Sequence, residues 1–274
     1  AVRKYDLPLA ADGYIPRIKT TYDANRIILY TMNRHQDELN LYAANPQTGA
    51  CSLLIKEQVP KYVKEEAMEG ISIMKDYILL PSDRDGFMHL YLYDKDGKLL
   101  RQVDKGNYDV TAVYGYDEKT GNTYFQAAAL QPMQREIYVV DKAGKRTVLS
   151  EGRGWNSASF SGDYKFFLNT WSDHDHPYVY AIYDNQGKKI REVLNNTELI
   201  AKIAKYGKVS KEFFAFTTSE GVKLNGWMIK PADFDKTKKY PVIMHQYSGP
   251  GSQQVVDSWS MGSMGNGGLY DQYL

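Results

Sequence analysis

The sequence predicts a mainly β fold assembled from β-propeller blades, and three observations carry that prediction. A unit of two hairpins recurs four times along the first 195 residues. Each copy has an Asp-containing turn in its first half and a Gly turn in its second. Twenty-three of the 274 residues are Tyr, a side chain that packs well across pleated strands. The second-half glycines fall at 49, 97, 144 and 187, in steps of 48, 47 and 43 residues. Four strands in roughly 40–50 residues is the period of a propeller blade.

The first halves read as a short strand, an Asp turn and an apolar strand. They are Ile18 to Asp23 with Arg26 to Tyr30, Gly70 to Asp76 with Tyr77 to Leu80, Thr111 to Asp117 with Asn122 to Gln126, and Ser157 to Asp163 with Tyr164 to Leu168. The second halves read as an aromatic strand, a Gly turn and a basic or apolar strand: Leu39 to Gly49, Leu90 to Lys98, Ile137 to Lys145 and Tyr180 to Lys188. Asx-rich turns ending in Gly suit tight hairpins, because Gly accepts positive φ without a Cβ clash. The blades then span 14–57, 68–106, 108–151 and 155–194. The doubled register of Asp and Gly turns argues against an ordinary antiparallel sandwich. Four blades can close a small ring or form half of a larger one, since each blade needs neighbours on both faces.

After the last blade the period changes. Asn196-Thr-Glu-Leu-Ile-Ala-Lys-Ile-Ala-Lys-Tyr-Gly207 predicts a linker helix within 196–211, capped by Asn196 or Thr197 and ended by Gly207, with Leu199, Ile200 and Ile203 on one face. Residues 212–274 form the next domain: strands at Glu212 to Thr217 and Lys223 to Ile229, then a third at Val242 to Met244, apolar enough to be buried on both faces. Two antiparallel strands followed by a buried one is how an α/β-hydrolase sheet begins. Gly249-Pro250-Gly251 forces a turn directly after it and leaves Tyr247 at the break, where a phenol can be aimed into a cleft.

The run from Tyr240 through Tyr247-Ser-Gly-Pro-Gly-Ser-Gln253 closely resembles the start of the hydrolase domain in the dipeptidyl peptidase IV branch of the prolyl oligopeptidase family. Ser82 to Gly97 and Asn169 to Pro177 are similar to blades of the same branch, so the resemblance runs from about residue 15 to 274. It implies that the four blades are the last half of an eight-bladed propeller and that the intact enzyme is a serine peptidase releasing N-terminal Xaa-Pro or Xaa-Ala dipeptides. It further implies that Tyr247 is the oxyanion-hole donor, that the full-length enzyme is a homodimer, and that it is exported to the periplasm or cell envelope. The nucleophilic Ser and its Asp and His partners are expected beyond Leu274. No Gly-x-Ser-x-Gly elbow occurs here, and Gly262-Ser263-Met264-Gly265 fails because Met261 stands where the first Gly is needed. The chain alone is therefore expected to be inactive. The rival reading is a non-enzymatic four-bladed binding module with a strapping tail.

Other candidates carry less. The resemblance places the family's glutamate pair for the substrate amino terminus on an earlier blade, so Glu65-Glu66 reads as a solvated charge run. Asp173-His174-Asp175-His176 gathers metal-type ligands, but neighbouring residues cannot all converge, and Pro177 marks an exposed loop. Asp83 to Gly86 and Asp94 to Gly97 lack the calcium-loop spacing and read as hairpin turns. His245 shares the Tyr247 face and either lines the cleft or packs in the strand, and Gln254 is given no role. No metal or cofactor motif appears. A net charge of +1 with both signs interspersed leaves no nucleic-acid footprint, and no apolar run reaches membrane-spanning length. The lone Cys51 excludes an intrachain disulfide.

Overall fold

Apolar residues that alternate between Asx and Gly turns bury themselves as pleated hairpins. A computed structural model, in which residues 2–205, 211–247, 249 and 251–259 are described, contains four such four-stranded sheets in sequential strand order. The first joins β1 (Ile18–Thr20), β2 (Ile27–Met32), β3 (Glu38–Ala44) and β4 (Cys51–Gln58). A short helix α1 (Glu65–Glu69) precedes the second, of β5 (Ser72–Ile73), β6 (Tyr77–Ser82), β7 (His89–Asp94) and β8 (Leu99–Gln102). The third holds β9 (Val110–Asp117), β10 (Asn122–Ala127), β11 (Glu136–Val140) and β12 (Arg146–Val148). The fourth holds β13 (Trp155–Phe160), β14 (Phe166–Ser172), β15 (Val179–Asp184) and β16 (Lys189–Leu194). Helix α2 (Thr197–Ala204) and a two-stranded hairpin of β17 (Glu212–Thr217) and β18 (Lys223–Met228) follow. The mainly β expectation holds, with one sheet for each repeat.

The repeat is enforced at its turns. Gly49, Gly97, Gly144 and Gly187 have φ of 81°, 86°, 88° and 81°, values an L side chain resists. The amide of Gly97 donates to the Asp94 carbonyl at 3.1 Å and that of Asp94 to the Lys98 carbonyl at 3.0 Å; Asp141 to Lys145 and Asp184 to Lys188 repeat this geometry. The Asp94 carboxylate accepts from the amides of Asp96 and Lys98 at 3.0 and 2.9 Å, so the side chain satisfies donors the bent backbone strands. These contacts fix Asp94 to Gly97 as a hairpin turn. Asp83 to Gly86 also turns between β6 and β7, the Gly86 amide donating to the Asp83 carbonyl at 2.9 Å.

The chain divides into two compact units, Ala1–Ala127 with Val139–Thr147 and Ala128–Tyr138 with Val148–Leu274. In the first, Ile28, Tyr30 and Met32 of β2 and Leu39 and Leu41 of β3 share a core with Ile78 and Leu80 of β6 and Tyr91 and Tyr93 of β7. Leu29 and Tyr42 point the other way into a second cluster with Ala44. These strands are thus buried on both faces, as a blade flanked by neighbours must be. The core also holds charge. Glu57, 4% exposed, is bound by the Arg84 guanidinium and the Ser82 hydroxyl, and Arg84 lies 4.2 Å over the Tyr91 ring. His89 Nδ1 lies 2.7 Å from Asp104 Oδ2 and Nε2 lies 3.0 Å from the Gly106 carbonyl. Two acceptors facing two ring nitrogens are satisfied together only by the protonated ring. Burial opposes that charge, but the Asp104 and Gly106 hydrogen bonds outweigh it and the His89 pKa is raised.

In the second unit, Phe167 of β14 and Tyr183 of β15 are cross-strand partners with rings stacked at 5.3 Å, and both are buried. Phe166 and Leu168, on the opposite face of β14, are exposed. The buried Asn156 amide donates to the Arg135 carbonyl at 3.0 Å and its Oδ1 accepts from Asn169 at 3.0 Å.

Two local expectations need correction. Asn196 holds the α2 N-cap position but makes no side-chain cap bond; the Thr197 amide and hydroxyl donate to Asn195 Oδ1, at 3.1 and 2.7 Å. Asn196 instead adopts φ 54° and sends its side-chain amide to the Tyr178 carbonyl at 2.6 Å. Val242 to Met244 form no strand and are 86%, 71% and 83% exposed. Apolarity alone cannot make a strand; it needs a partner edge, and among the described residues none pairs with this segment. Gly207, Ser248, Pro250 and Gly262 to Gly265 lie outside the described residues.

Candidate functional site

Tyr247 lies in the irregular segment that follows β18. Its side chain is not packed in an interior: the residue is 63% exposed. The ring lies against the Gly249 backbone, where a Cβ on Gly249 would sit 2.7 Å from the phenol oxygen and 2.8 Å from two ring carbons. Glycine at 249 therefore gives the ring its seat. The chain then turns, the Ser252 amide donating to the Gly249 carbonyl at 3.1 Å, with Gly251 at φ 74°. His245 is exposed and lies in no strand, so it is not the packed strand histidine that its spacing allowed. Gln254 donates to the Ser252 hydroxyl at 2.8 Å.

Directly after that turn, the segment Gln253 to Trp259 is fixed by two loops of the same unit. From the loop before β11, Arg135 donates to Gln253 Oε1 at 2.6 Å, and Gln253 Nε2 returns a bond to the Pro132 carbonyl at 2.7 Å. Gln134 Nε2 donates to Asp257 Oδ2 at 2.8 Å, and the Asp257 amide donates to the Met133 carbonyl at 2.9 Å. From the loop between β14 and β15, the His174 amide donates to Asp257 Oδ1 at 3.1 Å, and His174 Nδ1 lies 2.8 Å from the same oxygen. Asp257 is 8% exposed, Gln134 3% and Arg135 6%, with the Arg135 guanidinium 4.5 Å over the Trp155 ring. A buried carboxylate with both oxygens filled by donors is strongly localised.

The Asp173 to His176 loop is thus not simply exposed. His174 is half-buried and also meets the Phe213 ring edge-on at 5.1 Å, while His176 turns to Asp173 Oδ1 at 2.8 Å. His174 Nε2 also lies 3.3 Å from the Asp175 carboxylate, so these neighbours pair with each other and with Asp257. Among the described residues, no three His, Cys, Asp or Glu side chains converge as a metal site. Glu65 and Glu66 are exposed in the first turn of α1, with Arg17 3.9 Å from Glu65. The sequence signal for Asp257 and Gln134 was absent, because neither belongs to a spaced motif.

A family defined by the dipeptidyl peptidase IV (DPP IV) N-terminal region matches residues 2–178. The chain belongs to that family. Among dipeptidyl peptidase IV relatives, it is 33% identical over 190 residues to the dipeptidyl peptidase 4 of Arthroderma otae, a match covering 68% of this chain and 24% of that protein. To the dipeptidyl peptidase 4 of Trichophyton rubrum it is 29% identical over 191 residues, again 68% of this chain and 24% of the relative. The crystal structure of Porphyromonas gingivalis dipeptidyl peptidase 4 superposes with a TM-score of 0.90 at 37% identity, over 93% of this chain and 37% of that one. A putative dipeptidyl aminopeptidase IV from Bacteroides ovatus, at TM-score 0.79 and 24% identity, shares the fold over 97% of this chain and 40% of its own. This dipeptidyl peptidase IV family chain therefore spans about a quarter of the length of the curated relatives it matches.

Proposed function

We propose that this chain is the propeller half and the leading part of the α/β-hydrolase domain of a serine-type dipeptidyl peptidase, with blades in 1–195, a linker helix in 196–211 and hydrolase residues from 212. The longer polypeptide removes Xaa-Pro or Xaa-Ala from peptide amino termini, acts as a homodimer and works in the periplasm or cell envelope. The observation that carries this reading is Tyr247, an accessible phenol seated on Gly249 at the end of an apolar segment, in a chain whose relatives are named dipeptidyl peptidases.

The chemistry follows from what acyl transfer demands. When a serine oxygen attacks the carbonyl after the second residue, the carbonyl oxygen becomes an anion, and a donor already aimed at that position lowers the barrier. A tyrosine hydroxyl provides one such donor from the loop after an early strand, and the exposed run Val242 to Met244 gains a sheet when it pairs with the strands that carry the nucleophile. The exposure of those three residues supports that reading, since so apolar a segment is costly in water. The test is dipeptide release from an Xaa-Pro chromogenic substrate by the longer polypeptide, abolished by a serine-directed phosphonate, set beside the 274-residue chain, for which no release is expected. Release by the 274-residue chain, or phosphonate-insensitive release by the longer one, refutes the proposal.

A further inference from the structure

The seat of Tyr247 is connected to the Gln253–Trp259 segment by an unbroken series of contacts. The phenol rests on Gly249, the Gly249 carbonyl holds the Ser252 amide at 3.1 Å, and the next residue, Gln253, is gripped by Arg135 at 2.6 Å. Four residues further on, the Asp257 carboxylate is held on both oxygens by Gln134 and His174. On the other side of Tyr247 the nearest strand, β18, ends at Met228, nineteen residues earlier. The nearer anchor is therefore the one that follows.

We propose that Asp257 and Gln253, gripped by Gln134, His174 and Arg135, form a clamp that sets the position of Tyr247, making them positioning residues for oxyanion stabilisation. The inference rests on the oxyanion reading of Tyr247 given above. Two properties fit this role. The carboxylate at the centre of the clamp is more buried than the phenol it controls: Asp257 is 8% exposed and Tyr247 63%. The bonds to Gln134, His174 and Arg135 come from loops attached to β11, β14 and β15, elements stiff enough to serve as a fixed frame. A displacement of about 1 Å at a catalytic group costs on the order of 10²-fold in rate, so loosening this clamp should be read out at the chemical step.

The experiment is a double-mutant cycle between Asp257→Ala and Tyr247→Phe in the longer polypeptide, with kcat and KM measured on an Xaa-Pro substrate and hydrogen exchange followed over 252–259. Tyr247→Phe alone is expected to lower kcat by about 10²–10³-fold. Asp257→Ala is expected to lower kcat by about tenfold or more with KM within about twofold, and to speed exchange across 252–259. In the Asp257→Ala background, Tyr247→Phe should then cost at most about a tenth of what it costs in the wild type, because a displaced donor has less to lose. Asp257→Asn, which keeps one acceptor oxygen, should recover part of kcat. If Asp257→Ala does not fold, Gln253→Leu replaces it in the same cycle, since Gln253 is exposed at the rim. Additive losses, or an unchanged kcat for the clamp variants, overturn the clamp alone. An unchanged kcat for Tyr247→Phe overturns the oxyanion reading, and with it the clamp's role.

Discussion

Alanine at Gly97 and at Gly144 separates two costs that the repeated turn imposes. Both residues have nearly the same backbone, φ 86° and 88°, so both substitutions incur the left-handed penalty of about 1–2 kcal/mol. They differ in what a new Cβ meets. At Gly144 nothing lies within 4 Å, whereas at Gly97 the methyl would fall 2.1 Å from the Leu54 carbonyl oxygen and 2.6 Å from its carbon. Those atoms are backbone of β4, so the hairpin of the second sheet must back away from the first. Overpacking of this kind adds about 1–3 kcal/mol. Gly144→Ala should therefore cost about 1–2 kcal/mol and Gly97→Ala about 2–5 kcal/mol. At about 2–4 °C of melting temperature per kcal/mol, differential scanning calorimetry resolves the two. Gly187, with Leu149 oxygen at 3.0 Å from its Cβ position, should fall between them. Equal shifts at Gly97 and Gly144 would refute the claim that the turns are packing points between sheets as well as strained loops.

Two further outcomes follow from the buried charges. Because the His89 pKa is raised by Asp104 and the Gly106 carbonyl, its stabilisation is complete below the unfolded value of about 6.5 and is lost as pH rises through the higher folded value. Melting temperatures from about pH 6 to about pH 9 should fall more steeply for the wild type than for His89→Gln; parallel curves would remove His89 from the account. Arg84→Met leaves Glu57 buried without its cation and should destabilise by about 3–5 kcal/mol in urea unfolding, with Glu57→Gln in the same chain restoring part of the loss. A loss below about 1 kcal/mol would place the pair among surface-like ion pairs.

The sheets were legible because their turns carry residue-specific geometry. Positive φ at four positions selects Gly, and an Asp three residues before Gly97, Gly144 and Gly187, or Asn45 four before Gly49, accepts from the amides that the turn exposes. The N-cap position of α2 was legible as Asn196, but its missing cap bond was not, because the Tyr178 carbonyl, a tertiary partner, captures the Asn196 side chain and leaves the Thr197 amide to Asn195. Val242 to Met244 has the composition of a strand, but composition cannot supply the edge it must pair with. The clamp was illegible for a related reason: His174 and Asp257 stand 83 residues apart, and Gln134 and Asp257 stand 123 apart. Tyr247 could be picked out from its motif, whereas the residues that hold its loop could be found only in three dimensions.

The central claim is that the Tyr247 hydroxyl stabilises the oxyanion, and steady-state kinetics of Tyr247→Phe in the longer polypeptide tests it most directly. The account predicts a kcat lower by about 10²–10³-fold with KM little changed. A variant that turns over Xaa-Pro substrate as fast as the wild type would contradict it.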